Sequence, residues 1–242
     1  MNKTPDQLSL NIQLDDTVSL EKFIHCETNK SALELIKGTL SNQSVSNLFY
    51  IWGREGVGKS YIARALNREF LNDNKQIFHI SLKDERISSF EVFQNLGSLD
   101  IVIIEDIDLL PKEKEWELAI FSLINEALEG SFKIYLTSKV VSKELRIQLA
   151  DLRSRLSYCT AIEIPEISEE EKIEALIQSS KRKGIFLDAN TMQFIINNTS
   201  RSLTDLLGLI EEIDNFSLKK KKKVTPFLIR ELLKTRSDSL HK

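Results

Sequence analysis

Two cysteines, Cys26 and Cys159, are all that the 242 residues carry. That is too few for a disulfide framework and fits a reducing compartment, so the expectation is a cytoplasmic protein. No run of about 18 apolar residues occurs, which leaves nothing to span a membrane as a helix. The opening stretch, MNKTPDQLSLNIQLDD, lacks the apolar core of a secretory signal. His25, His79 and His241 have no ligand or catalytic spacing with the cysteines, and no internal repeat is visible. What remains is a globular mix, 29% charged and 41% hydrophobic. That excludes wholesale disorder, and the length buries a core without staples. The formal charge is −3, but from Phe216 onward nine Lys and Arg face two acids, a local +7 that leaves −10 for the rest. The whole chain is therefore no basic nucleic-acid sleeve, although one end could meet phosphate.

The apolar pattern divides the chain. Residues 1–18 are polar without period and read as a flexible tail. A helix is expected over about Lys30–Leu40, with Asn29 as N-cap and Ala32, Leu35 and Ile36 on one face. Strands then alternate with helices: Asn47–Trp52, Ile77–Ile80, Ile101–Ile104, Phe132–Thr137 and Ala161–Ile164 as strands, Ser60–Leu71, Ser89–Leu96 and Glu115–Leu128 as helices. This alternation predicts an α/β fold whose parallel sheet is covered on both faces, with Ile101–Ile104 buried on both sides. From Ser168 the pattern is helical only. Ser168 with Glu171 forms a capping box, Asp188 caps a second helix, and Ser202 with Asp205 opens a third bearing Leu203, Leu206, Leu207, Ile210 and Ile213. Thr225-Pro226 opens a fourth, with Phe227 and Leu232 as its apolar residues. The expected organisation is a tail (1–18), an α/β nucleotide-binding domain (19–166) and an all-α subdomain (167–242).

Gly53-Arg54-Glu55-Gly56-Val57-Gly58-Lys59-Ser60 fits G-x-x-x-x-G-K-[ST]. It follows an expected strand and precedes an expected helix, the context that separates a phosphate loop from a chance Gly-rich turn. Gly53, Gly56 and Gly58 let backbone N–H groups converge on phosphate oxygens. Lys59 supplies a point charge for the β- and γ-phosphates, Ser60 a hydroxyl for Mg²⁺, and the helix start its positive dipole end. Ile101–Asp106 (IVIIED) is an apolar strand ending in two acids. In such sites the first acid, here Glu105, holds Mg²⁺ and the second, here Asp106, polarises the attacking water. The order is the reverse of the common Asp-then-Glu, which favours nucleotide binding over fast hydrolysis in cis. Thr137 and Ser138 end another strand, where a hydroxyl could face the γ-phosphate.

Arg153 and Arg155 precede the last strand, and Arg201 opens the third helix of the C-terminal part. A guanidinium remote from the phosphate loop can serve a neighbouring molecule's nucleotide. Lys219–Lys223 are five adjacent lysines with no aromatic among them. They allow a nucleic-acid contact, and a solvated loop is the plainer reading. Trp52 and Trp116 read as packing residues.

Together these features resemble an AAA+ module, an α/β P-loop domain followed by a helical lid, and more narrowly the DnaA-related branch. Within that branch the chain resembles the Hda family of DnaA regulatory inactivators, over essentially its whole length. WGREGVGKS, LAIFSLINEAL (Leu118–Leu128), Ser154-Arg155-Leu156 and Thr225-Pro226-Phe227 carry the likeness. The resemblance implies that Arg155 is an arginine finger acting in trans and Arg201 a lid arginine that senses nucleotide. It places Phe23 and Asn29 beside the base, although Cys26 stands where that pattern has glycine. It implies that Gln7, Leu8, Leu10 and Ile12 are a sliding-clamp-binding peptide, with Asn11 where the pattern often has proline.

The implied cofactors are ADP or ATP with Mg²⁺. The implied partners are the DNA polymerase III sliding clamp (β subunit) and the DnaA initiator, with DNA reached indirectly through the clamp and room left for a homo-oligomer. The implied activity is clamp-dependent stimulation of ATP hydrolysis on DnaA, which inhibits replication initiation, with the chain's own ATPase weak or absent. Ending at Lys242, the sequence shows no helix-turn-helix reader, and Ser81–Asp100 leaves little room for a single-strand-gripping insertion. The alternatives are an autonomous AAA+ ATPase or helicase loader, and a nucleic-acid-binding module.

Overall fold

The computed structural model describes residues 18–41, 46–130, 132–199 and 203–240. Five strands, β1 (Leu48–Trp52), β2 (Ile77–Ser81), β3 (Ile101–Glu105), β4 (Lys133–Ser138) and β5 (Thr160–Glu163), form one sheet in the order β2-β3-β4-β1-β5. Every pairing is parallel, so each crossover needs a connection long enough to return over a face. Helices α1 (Glu27–Thr39) and α2 (Lys59–Asn72) lie on one face; α3 (Lys114–Leu128) and α4 (Ala150–Ser157) lie on the other. Residues of β1 alternate accordingly: Phe49 and Ile51 join Ile62, Leu66 and Ile103 on the α2 side, while Leu48 and Tyr50 join Ile104, Ile120 and Ile124 on the α3 side. All five residues of β3 are buried, as a strand covered on both faces requires.

After β5 the chain is helical: α5 (Glu169–Arg182), α6 (Ala189–Asn197), α7 (Leu203–Lys220) and α8 (Pro226–Leu240). They enclose a core of their own, built from Leu176, Met192, Ile195, Leu206, Ile210 and Ile229. The Ser168–Glu171 capping box forms, with Glu171 N–H donating to Ser168 Oγ at 3.2 Å and Ser168 N–H donating to Glu171 Oε2 at 2.9 Å. Glu171 Oε2 also accepts from Thr28 Oγ1 at 2.9 Å, which ties α5 to the first turn of α1. No described helix is long and apolar enough to cross a membrane.

Four local expectations change. α1 begins three residues before the expected start, because Asn29 is not the N-cap; it sits inside the helix and its Oδ1 accepts from Cys26 N–H at 2.9 Å. Ala32 and Ile36 are buried as expected, and Leu33 joins them in place of Leu35, which is 56% exposed. The expected Ser89–Leu96 helix is only a 3₁₀ turn over Phe90–Phe93, and α4 forms where no helix is evident in the sequence. In α8, Leu228 and Ile229 point inward and Phe227 is 74% exposed. Gln7, Leu8, Leu10, Ile12, Arg201 and Ser202 lie outside the described residues.

Candidate functional site

The loop between β1 and α2 needs its glycines. Gly58 is the N-cap of α2 at φ +102°, and a Cβ there would lie 2.6 Å from the ring of Phe23. A Cβ on Gly53 would lie 2.4 Å from the carbonyl oxygen of Ile164. Gly56 also has positive φ, which glycine alone adopts freely. The buried Lys59 ammonium donates to the carbonyl oxygens of Gly53 (2.6 Å) and Arg54 (2.8 Å), so it lies folded across the loop. Burial lowers the pKa of Lys59, against the opposing pull of Asp106 and Asp108.

A cavity of about 560 Å³ opens over this loop, at the carboxyl ends of the strands. Residues 55–61 form its floor, Asn29, Lys83, Asp106 and Lys139 its sides, and Lys172 and Asp205 reach it from α5 and α7. Its size lies within the range for a small-molecule ligand. Glycine backbone, the α2 N-terminus and several lysines give it the chemistry of a polyphosphate site. Of the oxygen-bearing residues that line it, Ser60, at the start of α2, and Asp106, at the end of β3, are the two that the motifs point to for Mg²⁺; Glu55, Glu166 and Asp205 also reach the wall. Among the described residues there is no cluster of three His, Cys, Asp or Glu side chains arranged as a metal site of its own.

The two acids at the end of β3 are not oriented as expected. Glu105, expected at the metal, does not line the cavity; it is buried and its Oε1 lies 2.8 Å from His79 Nε2. Asp106 faces the cavity instead, because its backbone turns into the left-handed region (φ +60°) and its N–H donates to Thr137 Oγ1 at 3.1 Å. Thr137, expected to reach phosphate, is thereby buried behind Asp106. Asp106 is itself engaged at both oxygens, Oδ1 by Lys83 Nζ at 3.1 Å and Oδ2 by Ser81 Oγ at 3.1 Å. His79, Ser81 and Lys83 follow the period of two along and just beyond β2, so one strand supplies a partner to both acids. His79 Nδ1 is buried without a hydrogen-bond partner among the described residues.

Of the base-side residues, Asn29 lines the cavity while its Nδ2 donates to Ile24 O at 2.8 Å. Phe23 packs against Gly58 and Tyr61 and does not line the cavity. Lys83, Lys139 and Lys172 are cavity residues that the motifs did not reveal. Lys139 pairs with Glu55 at 3.2 Å and holds that carboxyl below its usual range; Lys172 lies 3.7 Å from Glu166. The only sequence signals were the i, i+2 spacing of Lys83 from Ser81 and the place of Lys139 right after Ser138.

Arg155 lies in the last turn of α4, remote in sequence from the loop, partly buried and without an ion pair or side-chain hydrogen bond among the described residues. Its helix has no cap of its own. Instead the buried carboxylate of Glu117, on α3, accepts from Gln148 N–H (2.9 Å) and Leu149 N–H (2.6 Å) at the α4 start. A carboxylate at a helix N-terminus also complements the dipole. The arginine helix is thus fixed by a contact from another element.

A family model described as the bacterial DnaA ATPase domain matches residues 14–163, and one described as the Hda lid domain matches residues 169–233. Among solved structures, AMPPCP-bound DnaA from Aquifex aeolicus is 22% identical with a TM-score of 0.70, over 83% of this chain and 66% of that one. Domain III of the Thermotoga maritima replication initiation protein DnaA is 18% identical with a TM-score of 0.69, over 90% and 96%. A single-residue variant of Thermotoga maritima RuvB follows at 17% identity and 0.64, over 90% and 71%. The present chain thus spans about two thirds of the Aquifex chain's length, and at these identities the likeness is one of fold.

Proposed function

Since the chain belongs to the bacterial DnaA ATPase-domain family of AAA+ proteins and carries an Hda-type lid, we propose that it is a nucleotide-bound regulatory inactivator of the DnaA initiator. ADP or ATP binds over Gly53–Ser60, with phosphates on the loop N–H groups and Lys59, and with Asn29 and the Phe23 segment at the base end. Ser60 and Asp106 are the side chains that would hold Mg²⁺, which when bound neutralises phosphate charge. The division of the chain at 1–18, 19–166 and 167–242 belongs to the same reading, as does the role of Arg201 in sensing nucleotide.

The tail bearing Gln7, Leu8, Leu10 and Ile12 tethers the module to the DNA-loaded sliding clamp. Gln7 hydrogen-bonds, and the three apolar side chains fill a groove. Tethering raises the effective concentration to the millimolar range, so a weak docking contact with DnaA suffices. Arg155 then reaches the γ-phosphate of ATP held by DnaA. Water attacks phosphorus, ADP leaves, and the guanidinium stabilises the charge that spreads over the phosphoryl oxygens in the transition state. DnaA is left in its ADP form and initiation stops.

The observation that carries this reading is the guanidinium of Arg155, unclaimed by any described residue and borne on a helix anchored through Glu117. The alternative of an autonomous ATPase is disfavoured by the acids, which β2 engages in cis. The test is Arg155→Ala. Clamp and ADP binding should persist while stimulated hydrolysis on DnaA falls by a factor on the order of 10³. Unchanged stimulation removes Arg155 from the mechanism.

A further inference from the structure

The far end of α7 presents a second charged feature. Asp205 lines the cavity near one end of this helix, and sixteen residues at 1.5 Å each put Lys221 about 24 Å away. Lys221 has φ +52°, with its N–H donating to Leu218 O and the N–H of Lys222 to Ser217 O, each at 3.1 Å. This left-handed cap stops the helix, so the lysines wrap its end instead of spreading along one face. Lys220 is occupied, 2.8 Å from Glu231 and 5.3 Å above the Phe216 ring. Lys219, Lys221, Lys222 and Lys223 are exposed and make no ion pair among the described residues. The C-terminal dipole of α7 favours cations there, but only by about 0.3–1 kcal/mol at such exposed positions. Four like charges in one turn are not explained by capping alone.

We propose that this lid tip docks directly on the phosphate backbone of duplex DNA, independently of sequence and of the nucleotide cavity. Duplex DNA carries one charge per about 1.7 Å of axis, so four ammonium groups gathered at one turn find as many phosphates within reach. The part of the chain before Phe216 carries −10, which repels DNA elsewhere and orients the tip toward it. The lysine run has no interleaved aromatic, so a ladder of stacked bases, the device of single-strand binders, is not built here. Among the described residues beyond the turn, Phe227 is the one exposed aromatic. The proposal holds whether or not Arg155 acts on DnaA.

The experiment is fluorescence anisotropy of the full chain with a labelled duplex, without clamp or DnaA. With four phosphate contacts, affinity should fall about a hundredfold between about 50 and 200 mM salt. Replacing Lys219, Lys221, Lys222 and Lys223 together by Gln should weaken low-salt binding at least about tenfold and flatten the salt dependence, with ADP affinity unchanged. Phe227→Ala should bind like the parent chain. Absent duplex binding at low salt, or a quadruple variant that binds as the parent does, overturns the proposal. So does a Phe227→Ala loss equal to that of the lysine variant together with preference for single strands, which would assign base stacking instead.

Discussion

The two sides of the nucleotide cavity are built on different terms. On the loop side, Gly53–Ser60 presents backbone N–H groups, a helix start and a lysine that donates to loop carbonyls. On the acid side, Glu105 and Asp106 are already engaged by His79, Ser81 and Lys83. A side chain that must act on water or metal has first to leave its partner; a backbone cradle does not. On the proposed reading, binding is therefore separable from hydrolysis, and the chain acts as a nucleotide holder first.

The largest change should come from the loop side. Lys59→Ala removes the cation proposed to meet the phosphates, and affinity for ADP should fall on the order of a hundredfold, since charge-assisted contacts are worth about 1.5–3 kcal/mol; titration calorimetry checks this. An effect under about threefold would mean that the loop is not the phosphate site. The acid side should respond in the opposite sense. Lys83→Met frees Asp106 Oδ1, and any ATP turnover by the chain itself should rise about tenfold, equivalent to about 1.4 kcal/mol of barrier. A fall in turnover would show that Lys83 assists nucleotide chemistry instead of restraining it.

The smallest functional change is expected at Glu105. Glu105→Ala should leave ADP affinity with Mg²⁺ within about twofold while orphaning buried His79, at a cost of about 2 kcal/mol. For a chain of this size that lowers Tm by about 4–8 °C, read by calorimetry. A large loss of Mg²⁺-dependent binding would place Glu105 at the metal after all.

Much of this was legible because the signals are local. The phosphate loop is a fixed spacing between an apolar strand and a helix, and the strands are short apolar runs. The caps at Ser168, Asp188 and Thr225 form as their spacing suggests. What was not legible depends on distant partners. α4 has only Leu152 and Leu156 buried, and the group that anchors its start, Glu117, lies more than thirty residues upstream. Which acid faces the cavity is decided by the backbone of Asp106 and by the β2–β3 register that sets Ser81 opposite Glu105. Neither is written in the stretch IVIIED. Leu33 and Leu35 lie about 200° apart on α1; either could flank Ala32 and Ile36, and packing against sheet residues distant in sequence takes Leu33.

On the proposed function, Arg155 acts on a nucleotide held by another protein. The most direct measurement is single-turnover release of γ-phosphate from radiolabelled ATP bound to DnaA, with clamp-loaded DNA and either the parent chain or Arg155→Ala. Release should be rapid with the parent chain and near the unstimulated DnaA rate with the variant, while both chains bind clamp and ADP equally. Equal release by the two chains would contradict this role of Arg155.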